Sequence, residues 1–80
     1  MFEKLKKENK TIGIKQSIKA VEGETVEVVY IAEDAEERIT KDLKNICKEK
    51  GIEIIYVDTM KQLGKACGID VGAAAACILK

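Results

Sequence analysis

The chain has 80 residues, 46% of them hydrophobic and 35% charged, which is the balance of one folded domain and not of a disordered chain. It contains no histidine, so metal sites built on histidine and acid–base catalysis by an imidazole are excluded. Fourteen basic and fourteen acidic side chains cancel, but residues 1–20 hold six lysines against two glutamates, and this basic region could face a polyanion.

The N-terminal sequence MFEKLKKENK has no apolar segment of the kind found in signal peptides, and residues 2–9 are compatible with a short helix or an arm. The longest apolar run, residues 72–79, is too short to span a bilayer. The three cysteines form no C-x-x-C pair, so neither a disulfide nor a zinc framework is indicated. We therefore expect a cytoplasmic protein with no membrane segment, no metal and no other cofactor.

A short edge strand at residues 11–12 precedes the first clear helix. Ile14, Ile18 and Val21 recur at helical spacing and predict a helix from residue 14 to about residue 21, opened by Gly13.

The middle of the chain predicts a buried strand and a longer helix. The segment VEVVYIA, from Val26, is apolar on both faces and rich in β-branched residues, which is typical of a strand covered by helices. Asp34 and Glu37 form a D-x-x-E helix start, in which the Asp34 carboxylate would cap the helix. Gly51 ends the helix. Its predicted apolar stripe consists of Ile39, Leu43, Ile46 and Cys47.

The last third predicts a second buried strand, IEIIYV at residues 52–57, and a helix that Thr59 and Gln62 open with a capping box. Gly68 ends this helix, the loop GIDVG follows, and AAAACIL predicts the last strand. The residues that this helix is predicted to bury are Met60, Leu63 and Cys67.

Helices and strands alternate along the whole chain. This order predicts an α/β fold, a three-layer α/β/α sandwich with a mostly four-stranded mixed β-sheet, as one domain over residues 1–80. A fold of this kind hosts many functions, so function has to be argued from particular residues.

The segment GIKQSIKA, residues 13–20, is a candidate anion site. Gly13 leaves the backbone N–H groups of a helix start open, and Lys15, Gln16 and Lys19 offer groups that suit phosphates or base edges. Lys15 and Lys19 share one face, where like charges mildly oppose helix formation unless an anion lies between them. The alternative is a solvated helix face behind a glycine turn.

The loop CGIDVGAA is a second candidate. Ile69 and Val71 either fold into the core or offer an apolar surface to an unstacked base or a protein partner. A third cluster, at the start of the second helix, is explained by capping and the helix dipole, because catalytic carboxylates would need burial. It contains Glu33, Asp34, Glu36 and Glu37.

The segments GIKQSIKA, VVYIAEDAE and ICKEKGIEIIYVDTMKQLGKACGIDVGAAA, in this order over residues 11–79, resemble the ribosomal L-seven-Ae family of kink-turn RNA-binding proteins. The small bacterial branch is most similar in length. The resemblance implies the same α/β/α sandwich and no catalysis. It also implies binding to RNA kink-turns, which are bends flanked by tandem sheared G·A pairs, in ribosomal RNA, a riboswitch or another structured RNA, with the ribosome as one candidate partner. We expect a monomer.

The resemblance implies which helix residues contact the RNA. The archaeal motif G-T-N-E-x-x-K corresponds to Gly13, Ile14, Lys15, Gln16 and, at its last position, Lys19. Lys15, in place of Asn, can donate to guanine acceptors or phosphate, and Gln16, in place of Glu, can still accept from guanine N–H groups.

The resemblance also assigns residues outside this helix. Glu36 corresponds to an acidic residue that contacts an extruded base. Lys61 lies one place after Met60, where archaeal members carry a lysine that contacts the RNA backbone. The loop that packs against splayed nucleotides corresponds to Ile69, Asp70 and Val71.

Two other functions stay open from the sequence. One is a protein–protein interaction module of the same fold that docks through the loop of residues 69–71, and salt would separate it from RNA binding through lysines. The other is a small thiol enzyme, which requires a reactive Cys67.

Overall fold

A computed structural model describes residues 9–80, and the prediction for residues 2–9 lies outside them except for Asn9. The helices are α1 (Ile14–Glu22), α2 (Glu37–Lys50) and α3 (Met60–Ala66). The strands are β1 (Lys10–Ile12), β2 (Val26–Ala32), β3 (Ile54–Val57) and β4 (Ala75–Leu79). No helix within residues 9–80 is long and apolar enough to cross a membrane.

The four strands form one mixed sheet in the order β1-β4-β2-β3. Strand β4 runs antiparallel to both of its neighbours, whereas β2 and β3 are parallel. In the register of the sheet, Ile12 lies opposite Ala76, Ile31 opposite Ala75, and β2 and β3 finish side by side. The carboxyl ends of β1, β2 and β3 therefore meet the start of β4, and we refer to this edge as the Ala75 end of the sheet.

Helices cover both faces of the sheet, as the three-layer prediction requires. Helices α1 and α2 pack on one face, around the fully buried Val21, Leu43 and Cys47. Helix α3 packs on the other face, where Leu63 is fully buried and Cys67 nearly so. The sandwich fold and its mixed four-stranded sheet are confirmed.

The predicted cap of α2 is wrong. Helix α2 begins at Glu37 with Glu36 as its N-cap residue, and no side chain caps it. The Oδ1 atom of Asp34 instead accepts a hydrogen bond of 2.7 Å from the backbone N–H of Met60, at the start of α3. Sequence spacing could not show this, because the strand order places the end of β2 beside the start of α3.

Three residues predicted to be buried are exposed. Ile39 on α2 is 43% exposed and Met60 on α3 is 36% exposed. Tyr56 is 49% exposed because β3 is an edge strand, paired only with β2 among the strands of residues 9–80. The Thr59 cap is confirmed, since its Oγ1 accepts from the Gln62 N–H at 3.0 Å.

Candidate nucleic-acid interface

The topology brings four separate segments to the Ala75 end of the sheet. Gly13 and the first turn of α1 follow β1, and residues 33–36 follow β2. The start of α3 follows β3, and the loop of residues 69–72, called loop 69–72 below, lies shortly before β4. Every segment that the sequence singled out for binding therefore has at least one residue near this end.

The first turn of α1 presents open backbone donors. Gly13 has φ 102° and ψ 158°, a conformation that essentially only glycine adopts, and its N–H donates to the Ala75 carbonyl at 2.8 Å. The first bond of the helix runs from the Ser17 N–H to the Gly13 carbonyl at 3.0 Å. The N–H groups of residues 14–16 precede this bond, and Gly13 has no side chain to cap them, so they can receive an anion or a carbonyl oxygen.

The charge of this first turn is the reverse of the usual one. Helices favour acidic side chains at the N-terminus, where the helix dipole is positive. Helix α1 has no acidic residue in its first turn and carries Lys15 there, whereas α2 has Glu37 at the same place. The first turn of α1 therefore carries no acidic side chain that would compete with an external anion.

The three polar residues of the motif are exposed, whereas Ile14 is half-buried. Lys15, Gln16 and Lys19 are exposed. Ile14 is half-buried and packs against the core between α1, α2 and the sheet. Lys15 and Lys19 lie one helical turn apart, about 6 Å along the axis.

Glu36 lies at the same end of the sheet but already has a partner. Its carboxylate accepts from the Nε of Arg38 at 2.5 Å, and both side chains are exposed. An exposed pair of this kind is weak, so a base that donates N–H groups could replace Arg38 at little cost.

Loop 69–72 is held against α3 through its backbone. The Ile69 N–H donates to the Gly64 carbonyl, and the Ala73 N–H donates to the Met60 carbonyl, each at 3.0 Å. Between these bonds the Val71 carbonyl lies so close to Gly64 that a Cβ at that position would overlap it. Only glycine at residue 64 permits this approach.

The loop turns one apolar side chain inward and the other outward. Ile69 is half-buried and packs against the core under α3, whereas Val71 is 70% exposed. Beside the loop lies a surface cavity of about 270 Å³. Its lining consists of Lys61, Lys65, Ile69, Asp70, Val71 and Gly72.

The cysteines do not fit nucleophilic catalysis. All three are buried and free. Burial raises the pKa of Cys67, and the nearby charge of Lys10 only partly opposes this. Burial, with a smaller effect from Cys77, raises the pKa of Cys47 to about 11. A buried thiol with a raised pKa is a poor nucleophile, so the hypothesis of a thiol enzyme at Cys67 is not supported.

The sequence analysis did not identify two residues of this region. Gly64 lies inside α3, where glycine is less favourable than alanine, but it permits the close approach of the loop. Lys65 shares the cavity with Lys61, one turn earlier on α3. The i, i+4 spacing of the two lysines was the available signal, and it was as clear as that of Lys15 and Lys19.

Comparison with known proteins defines the class. The model of the ribosomal protein L7Ae/L30e/S12e/Gadd45 family matches residues 2–80. The chain belongs to this family, in agreement with the resemblance to its L-seven-Ae branch.

Individual relatives carry RNA-related names. A protein named RNA-binding protein from Caldanaerobacter subterraneus is 58% identical over 67 residues, which cover 84% of this chain and 82% of the relative. Large ribosomal subunit protein eL8 of Halobacterium salinarum is 40% identical over 84% of this chain, which spans only 57% of that protein. The solved structure of the Giardia lamblia 15.5kD RNA binding protein superposes with a TM-score of 0.83 at 30% identity, over 89% of this chain and 60% of that one.

Proposed function

We propose that this chain is a non-catalytic RNA-binding protein that recognises kink-turns in structured RNA and stabilises their bent form. The observation that carries the proposal is the start of α1, where Gly13 and Lys15 replace the usual cap and acid. The proposal agrees with the family to which the chain belongs and with the RNA-binding relatives.

The exposed groups of α1 suit a kinked RNA better than a regular duplex. An A-form helix hides its base edges in a deep, narrow major groove. A kink opens that groove, so that a short helix start could reach the sheared G·A pairs. Lys15 can then donate to guanine O6, N7 or phosphate, and Gln16 can accept from guanine N–H groups.

The other segments at the Ala75 end would contact the nucleotides that leave the stack. The exposed Val71 offers an apolar surface to a splayed base, whereas Ile69 supports the loop from the core side. Asp70, Glu36 and Lys61 are also exposed. A protein that binds only the bent RNA shifts the population of the RNA toward the bend.

Ribosomal RNA, a riboswitch and a small ribonucleoprotein RNA all provide such bends. We propose that the chain acts as a monomer, because a single copy presents both α1 and loop 69–72 at one end of the sheet. We also propose that it acts in the cytoplasm.

The test is a titration of the purified protein into a short RNA with a standard kink-turn. A second RNA carries Watson–Crick pairs in place of the two G·A pairs, at the same salt concentration. We expect at least about tenfold tighter binding to the first RNA, since each base contact is worth about 1–3 kcal/mol. Equal weak binding to both RNAs would refute kink-turn recognition.

Two variants locate the contact. Lys15→Ala and Gln16→Ala should each weaken kink-turn binding about five- to one-hundredfold. Lys15→Ala should leave the fold as stable as before or raise its stability by a few tenths of a kcal/mol, because it removes a cation from the positive end of α1. The matched control is Lys48→Ala in the last turn of α2, far from the Ala75 end. If the Lys15 variant binds like the Lys48 variant, α1 is not the contact.

A protein–protein interaction module remains the second candidate, because Val71 is the most exposed large apolar side chain of residues 9–80. The salt dependence of the affinity distinguishes RNA binding from a protein–protein contact. RNA binding through several lysines weakens steeply as salt rises, whereas an apolar protein contact does not.

A further inference from the structure

We infer that Asp34 is a positioning residue for RNA recognition, because its carboxylate fixes the segment of residues 33–36 relative to loop 69–72. The inference rests on the proposed function. It gives a role to a side chain that binds the protein backbone and that needs no contact with the RNA. The first link is the hydrogen bond of 2.7 Å that the Oδ1 atom of Asp34 accepts from the backbone N–H of Met60.

Met60 is the residue at which the two segments meet. Asp34 binds its N–H, and its carbonyl accepts a hydrogen bond of 3.0 Å from the N–H of Ala73, directly after loop 69–72. The loop also packs on the side chain of Met60, since a Cβ at Gly72 would lie 3.2 Å from the Met60 Cβ. The first residue of α3 therefore holds the acidic segment on one side and the loop on the other.

The same network continues to α1 through the backbone. The Ala32 N–H donates to the Ala74 carbonyl at 2.9 Å, which joins the end of β2 to the residue before β4. The Gly13 N–H donates to the Ala75 carbonyl at 2.8 Å, which joins the start of α1 to β4. Asp34 contributes a side chain to this network, so its link can be removed by substitution while the backbone stays the same.

The bond to Asp34 is more than a cap for α3, because the helix has a cap from its own segment. The Oγ1 atom of Thr59 accepts from the Gln62 N–H at 3.0 Å, as an N-cap residue does. Asp34 lies 26 residues before Met60 and binds the first N–H of the helix. Its bond therefore connects two distant parts of the chain at the Ala75 end.

This connection bears on the nucleotides that leave the stack. Glu36 and Val71 are the side chains proposed to meet them, and both are exposed. They lie on the two segments that Met60 joins. Segments that are already ordered lose less conformational freedom when a ligand binds. Loss of the Asp34 bond should therefore weaken RNA binding by loosening these segments relative to each other.

The experiment compares Asp34→Ala with Asp34→Asn. Both substitutions remove a negative charge that repels RNA, but Asn keeps an oxygen that can accept from the Met60 N–H. Thr59→Ala is the matched control, because it removes the other cap of α3 and leaves residues 33–36 unchanged. Affinity for the kink-turn RNA is measured for each variant, and thermal unfolding measures its stability.

A second RNA has an abasic site in place of the extruded nucleotide. It keeps the G·A pairs and the phosphates, but it offers no extruded base to Glu36 or Val71. A substitution that only destabilised the protein would change the affinity for both RNAs by the same factor. A change confined to the complete RNA therefore separates positioning from a general loss of folded protein.

Asp34→Ala should bind the complete kink-turn RNA about three- to tenfold more weakly than Asp34→Asn, which is the range that the loss of one hydrogen bond allows. Asp34→Ala and Thr59→Ala should each lower the unfolding temperature by about 4–8 °C, because each removes one cap. Thr59→Ala should still bind the RNA like the wild-type protein. On the abasic RNA, Asp34→Ala and Asp34→Asn should bind equally well.

The inference is overturned if Asp34→Ala and Asp34→Asn bind the complete RNA equally, or if Thr59→Ala loses as much affinity as Asp34→Ala. A difference between the two Asp34 variants that persists on the abasic RNA overturns it as well. Failure of the proposed function gives another result. If the wild-type protein prefers the kink-turn RNA to its Watson–Crick counterpart, only the role of Asp34 is wrong. If it shows no preference, kink-turn recognition itself is wrong.

Discussion

The start of α1 and loop 69–72 lie at the same end of the sheet, but they are built in different ways. The α1 segment is held by local rules: a glycine that turns the chain, an apolar stripe that meets the core and polar residues on the outer face. The loop is held by contacts with α3, which are two backbone hydrogen bonds and the close approach of the Val71 carbonyl to Gly64. The comparison teaches that surface substitutions on α1 should change binding alone, whereas the loop responds to changes in the core.

The largest loss of stability is expected from Gly64→Ala. The new Cβ would overlap the Val71 carbonyl, so either the loop or α3 has to move. We expect a loss of about 2–3 kcal/mol in the free energy of unfolding, as for other overpacked positions, together with weaker RNA binding. Urea denaturation and the kink-turn titration measure the two effects.

Gly23→Ala is the matched control for that substitution. Gly23 has an ordinary φ of −79°, and a Cβ there would make normal contacts, the nearest at 3.6 Å. Its effect on the free energy of unfolding should stay within about 0.5 kcal/mol.

Thiol labelling gives a second measurement of the Gly64→Ala variant, because Cys67 lies on the loop side of the sheet and Cys47 on the α1 side. Gly64→Ala should speed labelling of Cys67 only, and equal acceleration at both cysteines would show global loosening instead.

A smaller effect is expected from Gly13→Ala. Nothing lies within 4 Å of a Cβ at this position, so the cost is backbone strain alone, about 1–3 kcal/mol. Gly51→Ala provides the comparison, since Gly51 also has a positive φ, of 68°, but ends α2 away from the Ala75 end. Both variants should be less stable in urea, and only Gly13→Ala should lose RNA affinity beyond the loss of folded protein. Equal RNA affinity of the two folded variants would mean that Gly13 has no role beyond the turn.

The smallest expected change in stability comes from Ser17→Ala, and it is a gain. The Oγ of Ser17 is buried on α1 without a hydrogen-bond partner among residues 9–80. Ser17→Ala removes this unsatisfied group and should stabilise the fold by about 1 kcal/mol, with RNA affinity unchanged. A loss of stability would show that Ser17 has a partner, and a loss of affinity would extend the binding face of α1 to the side of the helix that faces the sheet.

The same comparison explains what the sequence could predict. Helix α1, the fold class and the Thr59 cap follow from periodicity and capping rules, which act over a few residues. The Asp34 carboxylate looked like a cap for α2, but it binds the start of α3, 26 residues away. Ile39 fits the helical stripe and is still exposed. These outcomes depend on which elements become neighbours, and spacing along the chain does not contain that information.

In the candidate site, too, the features that depend on local sequence could be predicted, and those that depend on packing between distant segments could not. Lys15, Gln16 and Lys19 are accessible as the motif suggested. The role of Gly64 could not be predicted, because its contact with Val71 exists only after α3 and the loop have packed. The position of Lys65 beside the loop depends on the same packing.

The most direct test of the account is a titration of isotope-labelled protein with the kink-turn RNA, followed through its backbone amide chemical shifts. We predict that residues 13–19 and residues 61–72 shift together, at the same protein-to-RNA ratio, while the last turn of α2 at residues 47–50 stays unchanged. Shifts confined to one of the two segments, or spread equally to the last turn of α2, would contradict an RNA held at the Ala75 end by both faces of the sheet.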